Sequence, residues 1–204
     1  MDALGRVVGF SNHSSYWGDT TAWIWEPALG TRSLRDHSAA VANAINDVGE
    51  IAGGIGIRRA ARFDLVTGEC VVLGTFGGEH SEATDVNDAG HRIGWALTPL
   101  YEPKPFLWTP ELGMRPLALG SARALNDRGE ILGFSQAGRA VLLEPDGSLV
   151  DLAHEVNGLG PFEIVRLEDL DDAGWIGGQV RHSASGALRG LLRPAYSRGA
   201  PAGA

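Results

Sequence analysis

The sequence predicts an all-β, propeller-like array of about five four-stranded repeats with incomplete terminal blades, and three observations carry that expectation. The first is a phrase that keeps returning. AINDVGEIAGG (44–54) recurs as TDVNDAGHRIG (84–94), ALNDRGEILG (124–133) and DLDDAGWIGG (169–178), with DALGRVVG (2–9) as a worn first copy. The second is a different phrase between those copies: TAWIWEPALG (21–30), ARFDLVTG (61–68), PFLWTPELG (105–113), AVLLEPDG (140–147) and ALRGLLRP (187–194). The third is a short extended stretch after each of the first four of these, at 31–34, 69–73, 114–117 and 148–152. The turn glycines Gly5, Gly49, Gly90, Gly129 and Gly174 are 44, 41, 39 and 45 residues apart. One period of about 42 residues thus holds four strands, A to D, and no helix, which is the arithmetic of a propeller blade.

Each element has its own reason. In the A–B hairpin, Asn46-Asp47-Val48-Gly49 lies between apolar residues. The Asn side chain opens a type I turn, and glycine follows where the backbone needs positive φ. The flanking strands are rich in Ala and Gly, which calls for close backbone approach on the crowded inner side of a radial array. The aligned strand-C position carries Trp25, Phe63, Trp108, Leu143 and Leu192, read as blade-to-blade packing. Strand A is counted four times, B five, C five and D four, so blade one lacks its first strand and blade five its last. Such edges are open to self-association. Residues 1–194 are expected to form one repeat domain, and 195–204, AYSRGAPAGA, a disordered tail.

The bulk composition narrows the function classes. The chain has 204 residues, 44% hydrophobic and 21% charged, with 29 glycines as turn-rich β-structure requires. A net charge of −8 disfavours nucleic acid and anionic membrane surfaces, since both need a basic footprint. Cys70 is the only cysteine, so no intramolecular disulfide is expected. No apolar run approaches the ~18 residues of a spanning helix, and no export signal stands before the first repeat.

The phrases WIWEPALG, PFLWTPELGMRPL and LGTFGGEHSEATDVNDAG (73–90) resemble the HAF repeat of bacterial, mostly extracellular proteins. The resemblance covers nearly all of 1–194 and is sharpest over 70–117. It implies a propeller-like repeat protein and an extracellular location, and it brings no catalytic residue to carry over.

In a meandering blade the A–B and C–D turns leave on one face, the B–C and D–A connections on the other. The first face has short repeated turns. The second has loops of varied length, and varied loops on a rigid scaffold are where binding lives. Five of the six histidines fall there: His13, His37, His80, His154 and His182. Two or three of them, with Asp19, Asp36 or Glu79, could converge as metal ligands or acid–base groups, although no pair has a short His-x-x-x-His spacing. The competing reading is that polar residues simply belong in loops. Tyr16, Trp17 and Tyr101, with Asp19, are candidates for a ligand surface that stacks a sugar or aromatic group. Asp169-x-Asp171 and Asp85-x-Asn87 look like the start of a calcium loop, but the other copies put Ala44 and Ala124 first and no copy has the closing Glu. No cofactor is expected. The function expected from these readings is a non-catalytic module that binds a carbohydrate or protein partner. The alternatives are a carbohydrate hydrolase or lyase with axial His or carboxylate groups, and a structural spacer in a longer surface protein.

Overall fold

The computed structural model describes residues 1–12, 20–34, 40–56, 58–155 and 160–194, with backbone alone for 154, 155 and 192–194. The strands are β1 (Val7–Asn12), β2 (Thr20–Glu26), β3 (Gly30–Ser33), β4 (Val41–Ile45), β5 (Glu50–Ile55), β6 (Arg59–Asp64), β7 (Cys70–Val72), β8 (Ser81–Val86), β9 (Arg92–Leu97), β10 (Pro103–Thr109) and β11 (Gly113–Pro116). They continue as β12 (Ser121–Leu125), β13 (Ile131–Phe134), β14 (Ala140–Leu143), β15 (Leu149–Asp151), β16 (Phe162–Leu170), β17 (Trp175–His182) and β18 (Leu188–Pro194). They form five antiparallel meanders, β1–β3, β4–β7, β8–β11, β12–β15 and β16–β18. The first sheet has no A strand and the last no D strand among the described residues, as the repeat arithmetic implies. One helical turn, α1 (Leu152–Glu155), follows β15 and departs from the helix-free period expected from the sequence. Packing groups the chain into two compact units, Met1–Ala122 and Arg123–Ala204.

In the first unit, Ala22 and Ile24 of β2 pack on Ala42, Ile51, Ala61 and Phe63 of the second sheet. Ala52 and Ala60 in turn pack on Ala83, Ala96 and Phe106 of the third. In the second unit, Leu132, Leu142 and Leu152 meet Leu167, Ile176 and Leu191. The strand-C series does not bury evenly. Phe63 is buried, while Trp25 is 40% exposed and Trp108 half-buried. The fifth copy is also shifted by one, because Arg193 rather than Leu192 pairs with Ile176. Burial here follows whether a neighbouring sheet covers that face, which strand periodicity alone does not record.

All five turn glycines hold the left-handed φ expected of them, between +74° and +90°. The Asn-Asp pair that precedes Gly49, Gly90 and Gly129 does more than start a turn. Asn46 Oδ1 accepts the Glu50 N–H of its own hairpin at 2.7 Å, while its Nδ2 donates to the Asn87 carbonyl of the next at 2.9 Å. Asp47 closes the other side: its N–H donates to Asp88 Oδ1 at 2.8 Å, and its Oδ1 accepts from Ala3 N–H at 2.6 Å. In the second unit, Asn126 bonds the Asp171 carbonyl at 3.2 Å and Asp127 N–H donates to Asp172 Oδ1 at 2.7 Å. A polar ladder therefore runs from sheet to sheet within each unit, and satisfies turn groups that packing would otherwise leave unpaired. The calcium-like Asp85 and Asp169 accept the N–H groups of Val86 and Leu170, so their oxygens serve the strand.

Candidate functional site

The groups with displaced acidities lie in or beside the repeated hairpin turns of their own sheets. Asp64 Oδ1 accepts Val66 N–H and Thr67 N–H, and the Thr67 amide does most to hold its carboxyl below the usual range. Asp146 is held low in the same way by Ser148. Cys70, half-buried in β7, is pushed up by burial.

Arg92 is the exception that sequence reading passed over. It is fully buried at a position where the other copies carry Val7, Ile51, Ile131 and Ile176. Glu50 Oε2 lies 3.0 Å from its Nη2, an ion pair without hydrogen-bond alignment, and the guanidinium sits 5.3 Å from the Trp108 ring centroid. Burial pushes its pKa down and Glu50 opposes the shift. Glu50 also lies 3.6 Å from Arg62, which reaches Glu69 at 2.6 Å. The chain of charges joins the second and third sheets, an interaction whose breaking costs more than its making gains.

The opposite face of the first unit carries a cleft of about 170 Å³, lined by Phe10, Thr20, Val41, Gly54, Gly56, Arg58 and Glu82. Glu82 Oε1 accepts from Asn43 Nδ2 at 3.0 Å, which orients the carboxylate. Ser81 braces the loop beside it: its N–H donates to the Arg58 carbonyl at 2.8 Å, its Oγ accepts Ala60 N–H at 3.0 Å and donates to the Gly74 carbonyl at 2.6 Å. A cation, an oriented acceptor and the 45%-exposed Phe10 ring thus share one small mouth. That combination suits a small ligand with both polar and apolar parts.

Two backbone outliers mark the same face. Among the described residues, Arg58 (φ +53°) and Tyr101 (φ +59°) are the non-glycine residues at positive φ, and both sit in B–C connections. The Tyr101 turn has a counterpart. Thr98 N–H bonds the Glu102 carbonyl at 3.0 Å and Tyr101 N–H the Thr98 carbonyl at 2.9 Å; Ser135 N–H bonds Arg139 at 2.8 Å and Gly138 N–H bonds Ser135 at 2.9 Å. The fourth sheet closes the turn with Gly138 at φ +74°, the third with a tyrosine that is 65% exposed.

Of the residues singled out from sequence, Tyr101 and His80 lie on this face of the first unit. His13, Tyr16, Trp17, Asp19 and His37 lie outside the described residues, and only the backbone of His154, in α1, is described. His80 is half-buried just before β8, where its carbonyl accepts Leu97 N–H at 2.8 Å. His182 Nδ1 accepts the N–H groups of Ala184 and Ser185 at 3.2 and 3.1 Å, and its ring meets Phe162 edge-on at 5.0 Å. Among the described residues, no three His, Cys, Asp or Glu side chains converge as a metal site. Arg58 and Glu82 were missed because loop conformation and sheet-to-sheet packing leave no periodic trace. Arg92 had a trace, its place in the repeat alignment.

A comparison with family models gives no match, and one with curated proteins gives none. Among solved structures, TolB from Acinetobacter baumannii superposes with a TM-score of 0.62 at 17% identity, over 93% of this chain and 53% of the TolB chain. TolB is a β-propeller. The chain has a propeller-like all-β fold. It spans about half of the TolB structure it matches. Porphyromonas gingivalis dipeptidyl peptidase 4 also aligns, with a TM-score of 0.43 at 10% identity over 93% of this chain and 34% of that one.

Proposed function

We propose that the chain is a non-catalytic binding module that takes a carbohydrate or protein ligand at its variable-loop face, through the Arg58–Glu82 cleft and Tyr101. The observation that carries this reading is the Tyr101 turn. A bulky residue at positive φ costs about 1–3 kcal/mol, and the fourth sheet shows that glycine builds the same turn without that cost. Strain held beside an exposed aromatic ring is the mark of a side chain kept for contact. The test is a panel of defined oligosaccharides and peptides on the intact protein, repeated with Tyr101→Gly and Arg58→Ala. A bound compound should lose at least about tenfold affinity in one of these folded variants, as for a site with few anchors. Binding untouched by both would remove the site, and release of cleaved product from the bound compound would remove the non-catalytic assignment.

A further inference from the structure

We infer that the edge of β1 that no described strand covers is an acceptor for an extended peptide strand of the A type, laid down opposite Val7–Phe10. The argument comes from comparing equivalent glycines. Gly9, Gly53, Gly94 and Gly178 each stand four residues after a turn glycine. A Cβ on Gly53 would run into the Val41 carbonyl, on Gly94 into the Glu82 carbonyl, and on Gly178 into the Arg166 carbonyl. In each case the obstructing oxygen belongs to the A-strand residue just before the glycine's partner, and a bulge follows that partner, between Ala42 and Ala44, Ala83 and Asp85, or Leu167 and Asp169. The bare backbone is the seat of that bulge.

Gly9 keeps the seat although β1 pairs with β2 alone among the described strands. The Trp23 ring lies where its Cβ would stand. That ring does not replace a strand: at Gly94 the Phe106 ring, 2.9 Å from the Cβ position, and the A-strand carbonyl share the same glycine. The exposure pattern agrees. Ile51, Ala52 and Gly53 are buried, whereas their equivalents Val7, Val8 and Gly9 are half-buried and Phe10 is exposed. The register is set by the second sheet, where Val41, Ala42, Ala44 and Ile45 face Gly54, Gly53, Ala52 and Ile51. The incoming strand places the same pattern against Phe10, Gly9, Val8 and Val7, with its main chain supplying the affinity.

The probe is a synthetic peptide of residues 40–47, AVANAIND, added to the intact protein while amide hydrogen exchange is followed. Saturable protection confined to Val7–Phe10, with exchange slowed at least about tenfold, is expected. The same peptide N-methylated at alternate amides should give none, which tests main-chain pairing without altering the protein. Gly9→Val should abolish protection as well. No protection by AVANAIND, or equal protection by a scrambled peptide, overturns the proposal. So does protection that rises with protein concentration and needs no peptide, which would give the edge to a second copy.

Discussion

The turns at 98–102 and 135–139 are the same five-residue device with the same hydrogen bonds, yet one carries Tyr101 and the other Gly138 at its left-handed position. The difference teaches where folding and function part. Gly138 does what the backbone requires. Tyr101 leaves it strained and puts an aromatic ring in solvent. A similar contrast holds between the two faces of the first unit. The repeated-turn face carries the Asn46–Asn87 and Asp47–Asp88 ladder and the Glu50–Arg92 pair, and the variable face carries the strained Arg58 and Tyr101.

The largest effect should come from the repeated-turn face. Glu50→Ala strands the buried Arg92 and should cost about 3 kcal/mol, whereas Arg92→Ile, which restores the residue type of the other copies, should stay within about 1 kcal/mol of the parent. Chemical denaturation of the two variants checks the order, and equal losses would make the pair a net stabiliser. Gly49→Val or Gly129→Val should cost more than about 1 kcal/mol, because valine is strained at φ +90° and +77°. Unchanged denaturation midpoints would remove the requirement for glycine there. Gly138→Tyr transfers the Tyr101 strain to the fourth sheet and should cost about 1 kcal/mol or somewhat more. If it proves neutral, the two turns differ in something other than the residue at that position.

The smallest effect is electrostatic. Asp64 has a depressed folded pKa, so its contribution is present above the unfolded value of about 3.9 and is lost as pH falls through the folded one. Stability measured from pH 7 into acid should therefore fall less steeply for Asp64→Ala than for the parent, by under about 1 kcal/mol because the turn is near solvent. Parallel curves would show the carboxylate to be idle.

Much of the architecture was legible because the repeat is written in turn chemistry. Gly49 and its equivalents, the alternation before them and the uneven strand count led directly to five sheets with the first and last one strand short. What the Asn-Asp pair does between sheets was not legible, since one hairpin shows Asn46 starting a turn but not Asn46 reaching Asn87. The site was less legible still. Tyr101 could be named as an exposed aromatic in a loop, but its strain is a property of φ. Arg58 and Glu82 line one cleft only because β8 packs beside the β5–β6 connection, a non-local fact. Leu192 shows the converse limit: one residue of register moved its strand-C equivalent to Arg193.

The most direct test of the account is the equilibrium unfolding of Tyr101→Gly. The account predicts a rise of about 1 kcal/mol or more, as strain at a left-handed position is released and the turn at 98–102 becomes like that at 135–139. A fall in stability would mean that Tyr101 contributes to the fold, and would contradict the claim that its strain is kept for binding.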